Sequence, residues 1–146
     1  MLTEENAVLV KEYLNVAVNA PENLERFAKL LNDDCTWTIV PPGITLVGAQ
    51  QVRSFVRMAM GSRTHDAESK IEIRNWFADG DNFCVEYFHG AMVTRFHIRV
   101  TENVCLVCHM REGKFDRVHE YVDTSRSVLI GLGLKLFPLI FRVRRA

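Results

Sequence analysis

Glu120 is the side chain in this sequence whose setting most suggests chemistry. Residues 115–122, Phe-Asp-Arg-Val-His-Glu-Tyr-Val, alternate well enough to form a strand, with Phe115, Arg117, His119 and Tyr121 on one face and Asp116, Val118, Glu120 and Val122 on the other. A carboxylate flanked on its own face by two valines is either a solvent contact near a strand end or a reactive group held in an apolar hollow. In the second case burial would favour its neutral form and fit it for general acid or base work. Four histidines, His89, His97, His109 and His119, also fall in predicted strands. One or two could hold a proton or a water near Glu120, although a strand histidine is more often a plain polar neighbour. His119 has the wrong parity to share its face. His89, mid-strand between Tyr87 and Ala91, is therefore the expected partner.

The run Cys105-Leu106-Val107-Cys108-His109 matches a haem-attachment pattern. The mechanics oppose it, because strand positions three apart point to opposite faces whereas attachment needs both thiols on one turn. A zinc site would need a second pair of ligands nearby. No metal and no organic cofactor is expected. Cys35, Cys84, Cys105 and Cys108 read as free thiols in apolar strands.

The chain of 146 residues is 48% hydrophobic and 25% charged, the composition of one folded domain rather than of a disordered chain. Zero net charge argues against nucleic acid as a partner. The balance is uneven, with thirteen basic against eighteen acidic residues up to Asp123 and five basic, no acidic, after it. The opening MLTEENAVLVKEYL carries acid where a secretory signal carries base, so a cytoplasmic location is expected. Residues 1–125 are expected to form the domain and 126–146 an apolar and basic helical tail. In that tail Leu129, Leu132, Leu136 and Ile140 recur at helical spacing until Pro138 kinks or ends the helix. It is too short to span a membrane. A lid or a homodimer contact is favoured over attachment to a membrane surface, because Gly131 and Gly133 weaken a free helix.

The elements that must position Glu120 follow from local pattern. Thr3 and the acidic first turn open a helix carrying Val8, Leu9, Tyr13, Leu14 and Ala17, which should end near Asn19. Pro21 opens a second, with Leu24, Phe27, Leu30 and Leu31 on one side, and Asn32 to Asp34 should stop it. Residues 35–40 form a strand with Cys35, Trp37 and Ile39 on one face. After Pro41-Pro42-Gly43, a third helix from Gly48 buries Val52, Phe55, Val56 and Ala59. Ile71, Ile73, Asn75 and Phe77 then alternate against Glu72, Arg74 and Trp76, and Asp79-Gly80-Asp81-Asn82 turns the chain into a long strand, Phe83 to Val93. Arg95 to Val100 and Val104 to Arg111 follow, with Glu102-Asn103 as a break. Arg111 to Lys114 is a tight turn in which Gly113 takes positive φ. This is an α+β plan in which a strongly curved, mostly antiparallel sheet wraps three N-terminal helices as a cone, with an extra C-terminal helix.

Helix, helix, the Asn-Asp-Asp-Cys-Thr-Trp strand, a Pro-Gly loop, a Gly-Ala-Gln-Gln helix and the final Gly-Lys-Phe-Asp-Arg-Val-His-Glu-Tyr-Val-Asp strand resemble the nuclear transport factor 2-like superfamily. Within it the chain is most similar to SnoaL-like polyketide cyclases and ketosteroid isomerase-like proteins, over roughly residues 5 to 125. The resemblance implies that Tyr13 stands where ketosteroid isomerases place an oxyanion-binding tyrosine; a helix tyrosine with its hydroxyl in water is the plain alternative. Those isomerases put carboxyl groups where this chain has Ile39 or Val40 and Cys105 or Leu106, which disfavours steroid-type isomerisation by the usual groups. Glu120 falls where epoxide hydrolases of the limonene type place an essential aspartate, but their arginine and aspartate two apart in mid-sheet are missing, with Glu86 and His89 offered instead. The expected function is cofactor-free acid–base chemistry of isomerase, cyclase, dehydratase or epoxide hydrolase type on an apolar small molecule. Glu120, Tyr13 and His89 would be catalytic, and Trp37, Phe55, Tyr87 and Val118 would line the cavity. The rival is a non-catalytic ligand carrier or dimerisation module of the same fold, since one fold hosts both.

Overall fold

The structure is a computed structural model that describes residues 23–61, 63–64, 70–93 and 98–123, together with 8, 12, 14 and 125. The helix expected before Asn19 is described at Val8, Glu12 and Leu14, all helical; Leu14 is buried and Glu12 pairs with Arg26. The tail, residues 126–146, lies outside the described residues, as do Arg95 and His97.

Helix α1, Leu24–Ala28, buries Leu24 and Phe27, and strand β1 begins at once with Leu31–Val40. The sequence expectation carried this helix to Leu31 and began the strand at Cys35; the strand starts four residues earlier. A tertiary pairing overrides local propensity here, because Phe115 N donates to Leu30 O at 2.8 Å and Leu31 lies in register with Phe115. Asn32, Asp33 and Asp34 therefore ride in an irregular stretch of strand rather than in a helix stop. They still find partners: Asn32 Nδ2 donates to Arg111 O at 3.2 Å, and Asp34 pairs with Arg111.

Strand β2, Ile44–Val47, folds back antiparallel on β1, and helix α2, Ala49–Gly61, packs over both and against α1. Between them Gly48 has φ 84°, and a Cβ there would stand 3.1 Å from Asp33 O, so both conformation and space call for glycine. Val52 and Val56 are buried, while Phe55 and Ala59 are partly buried at the edge of the expected stripe.

The remaining strands are β3 (Arg63–Thr64), β4 (Lys70–Asp79), β5 (Asn82–Val93), β6 (Ile98–Arg111) and β7 (Lys114–Val122). They complete one sheet of seven strands in the order β2-β1-β7-β6-β5-β3, with β4 on β5 as well. All described pairs are antiparallel except β1 with β7. This curved, unclosed sheet with few helices is the α+β plan expected.

Three details differ from strict alternation. First, β6 runs unbroken through Glu102 and Asn103, because each is satisfied within the sheet: Glu102 stands opposite His89, and Asn103 O accepts from Asp123 N at 2.9 Å. Secondly, a register shift between Ile73 and Asn75 sets Trp76 opposite Val85 and Phe77 opposite Cys84. That bulge exchanges the faces expected for Trp76 and Phe77. Thirdly, Met110 faces Phe115 and His109 faces Arg117, leaving Asp116 as an extra residue in β7. Phe115 consequently turns inward with Val118 instead of sharing a face with Arg117. Arg111 Nε holds the bulged Asp116 at 2.9 Å.

The β6–β7 turn needs left-handed backbone at two residues, with φ 55° at Glu112 and 71° at Gly113. Gly113→Val is expected to cost about 1–2 kcal/mol, the penalty of a Cβ in that region, measured as a lower urea midpoint at unchanged slope. Beneath the turn the core closes on aromatics: Phe115 lies 5.9 Å from Trp37 and 6.0 Å from Phe83 between ring centroids, and Phe27 meets Trp37 edge-on.

Candidate functional site

The inner face of the sheet can be read as rows of side chains in register. One row is Trp76, Val85, Leu106, Glu120, Ile39 and Ile44; the next is Ile73, Tyr87, Val104 and Val122; beyond it come Ile71, His89 and Glu102. Glu120 thus points with Leu106 and Ile39, which are both buried, so it faces inward. From the Ala91–Val100 pair down to the Met110–Phe115 pair, every inner-face side chain of β5, β6 and β7 is buried except Glu120, which is partly exposed. On these three strands the buried inner face is interrupted at its carboxylate.

The indole of Trp37 orients that carboxylate, with Nε1 donating to Glu120 Oε2 at 2.6 Å. Trp37 is buried at 2% exposure, and its ring is fixed by Phe27 and Phe115, so the donor cannot swing away. An indole N–H can only donate. It therefore defines which carboxylate oxygen it meets in either protonation state. Cys108, opposite Val118 in the next row, feels this charge: burial first, then Cys84 and Glu120, push its thiol well above the usual range.

His89 and Glu102 are the two buried polar or charged side chains of the described core, 2% and 6% exposed. They are direct cross-strand partners, with His89 Nδ1 and Glu102 Oε1 3.0 Å apart. The pair lies on the inner face, with His89 two strands and four residues from Glu120. That is about 10 Å across and 13 Å along, or on the order of 16 Å over the sheet. The structure therefore seats His89 against Glu102 rather than beside Glu120. Sequence reasoning missed Glu102 by treating it as a break. Yet the signal was present, because Val100, Val104, Leu106, Cys108 and Met110 occupy every other inward position of that period and Glu102 takes the remaining one.

Trp37, Tyr87 and Val118 all face inward and are buried, and Phe55 packs partly buried against the same core. Tyr13 lies outside the described residues. Among the described residues no three metal-binding side chains cluster, and no helix is long and apolar enough to cross a membrane. Cys105 and Cys108 occupy opposite faces, Cys105 partly exposed on the outer side and Cys108 buried on the inner.

The described strands thus build a curved sheet with an oriented, partly exposed carboxylate on its inner face. The chain belongs to the SnoaL-like domain family, whose model matches residues 10–118. No curated protein matches the chain. Among solved structures it is similar to an epoxide hydrolase of the LEH-like kind from M. tuberculosis, at 22% identity over 96% of this chain and 98% of that one, with a TM-score of 0.69. A candidate isomerase from Rhodopseudomonas palustris is similar at 16% identity over 91% and 99%, with a TM-score of 0.74. A protein of ketosteroid isomerase-like fold from Catenulispora acidiphila, solved with trimethylamine, is similar at 14% identity over 81% and 87%, with a TM-score of 0.67. At these identities the likeness is one of fold.

Proposed function

We propose that this SnoaL-like protein is a cofactor-free enzyme in which Glu120 is the general acid–base group, acting on an apolar small molecule that enters the inner face at that carboxylate. The observation that carries the reading is the pairing of partial exposure with fixed orientation at Glu120, whose inner-face neighbours on β5, β6 and β7 are all buried. Such a group can reach a substrate proton without being levelled by bulk water, and one defined oxygen is presented to it. Isomerisation, cyclisation, dehydration and epoxide opening all need this step, and Tyr13 would be the polarising donor, while His89, seated against Glu102, stands too far along the sheet to share it. The related folds named for isomerase and epoxide hydrolase activity support the class of chemistry.

The reading is tested by turnover of a panel of cyclic epoxides and β,γ-unsaturated ketones. Trp37→Phe keeps the aromatic packing and removes the donor. It should lower kcat by about 10–100-fold on whichever compound turns over, the value of one hydrogen bond to a charged group, with a smaller change in KM. Equal activity of the variant would show that carboxylate orientation is not used.

One observation favours a second reading, a non-catalytic binding module. Trp37, Tyr87 and Val118 are buried in the core, and His89 is paired with Glu102 rather than set beside Glu120. Saturable binding of panel compounds, seen by quenching of tryptophan fluorescence, with no turnover of any of them, would decide for that module.

A further inference from the structure

The outer face of the sheet holds a second reactive feature, unrelated to the Glu120 row. Cys84 on β5 stands opposite Val107, and Cys105 on β6 opposite Glu86, so the two cysteines are diagonal neighbours on adjacent antiparallel strands. Their sulfurs are 3.5 Å apart, and both thiols are free and partly exposed. The other two cysteines, Cys35 and Cys108, are buried in the core. Packing a small hydrophobe accounts for that second pair but not for two thiols touching at a surface. Strand twist brings diagonal positions together unequally, and the sulfur separation shows that this is a close diagonal. A disulfide bond is about 2.05 Å long, so closure requires about 1.5 Å of approach between the sulfurs.

We propose that Cys84 and Cys105 form a peroxide-sensitive dithiol, a modification site that closes to an intramolecular disulfide across β5 and β6. One thiol loses its proton and its thiolate attacks an oxygen of hydrogen peroxide; the O–O bond breaks and hydroxide leaves, which takes up the released proton as water. The resulting sulfenic acid is then attacked by the second thiol, forming the S–S bond and breaking the S–O bond, with loss of a second water. Two thiols give up two electrons, and one peroxide becomes two waters. The strands are already held by their backbone ladder, so the bond fixes an existing pairing rather than imposing a new one. Burial, and then the hydrogen bond with Cys105, push the Cys84 thiol to about 11. The Cys84 thiolate is scarce at neutral pH, so any step that uses it quickens as pH rises.

The test uses the full chain with hydrogen peroxide, followed by denaturation, iodoacetamide alkylation, intact mass and peptide mapping. Expected are the loss of two alkylation sites, a Cys84–Cys105 linked peptide, reversal by dithiothreitol, and a closure rate that rises with pH from about 7 to about 9. Cys84→Ser should abolish the linked peptide and leave Cys105 trapped as a sulfenic acid that dimedone labels. The proposal is overturned if both thiols stay alkylatable under peroxide that oxidises free cysteine, or if mapping finds either cysteine linked to Cys35, to Cys108 or to another chain. The wild-type measurement decides the matter even if the variant fails to fold.

Discussion

Replacing Glu120 with glutamine is expected to lower kcat by about 10²–10⁴-fold on any substrate the protein turns over, the usual contribution of a positioned acid–base group. The substitution is nearly isosteric, and the amide oxygen can still accept from Trp37 Nε1, so the local geometry should survive. Stability should move by no more than about 0.5 kcal/mol, as for a position that is not fully buried. The discriminating readout is the split between kinetics and folding. Lost turnover with an unchanged unfolding midpoint assigns Glu120 to chemistry. Unchanged turnover removes the acid–base role outright, and a lost midpoint would make the residue part of the framework. KM should hold nearly constant, because the interaction removed is one made in the transition state.

The largest effect on stability is expected at Glu102. Glu102→Ala removes the carboxylate 3.0 Å from a histidine that is 2% exposed and stands between Tyr87 and Ala91 on the inner face. Breaking one side of a buried, hydrogen-bonded pair costs about 3–5 kcal/mol. The double replacement His89→Leu with Glu102→Leu should recover most of that loss, since apolar groups of similar size often substitute for a buried pair at little net cost. Urea unfolding of the two single variants and the double variant gives the coupling between the residues directly. Additive effects would mean that the 3.0 Å contact contributes nothing to the fold.

Alternation of apolar residues placed most of the sheet, because the side-chain period of a strand is a local property. Cys35, Trp37 and Ile39 face inward as their spacing implies, the hairpin at Gly80 forms as its turn residues imply, and Gly113 takes the positive φ its turn requires. Alternation failed wherever a bulge intervened. Trp76 and Phe77 exchanged faces, leaving Phe77 64% exposed, and Asp116 slipped out of register so that Phe115 joined Val118 in the core. A bulge depends on the partner strand's hydrogen bonds and does not show in the bulged segment's own pattern.

Residues 115–122 carried enough local information to make a strand and to set Glu120 between two valines on one of its faces. The order of helices and strands, with the short motifs at their ends, carried the resemblance to the family. Which groups meet was settled by pairing between segments far apart in the chain. Trp37 reaches Glu120 across 83 residues because β1 and β7 lie parallel with Ile39 opposite Glu120. His89 is held by Glu102 because the β5–β6 register sets them face to face. Local pattern fixes the direction in which a side chain points, but its partner is chosen by the hydrogen-bonded register of the assembled sheet.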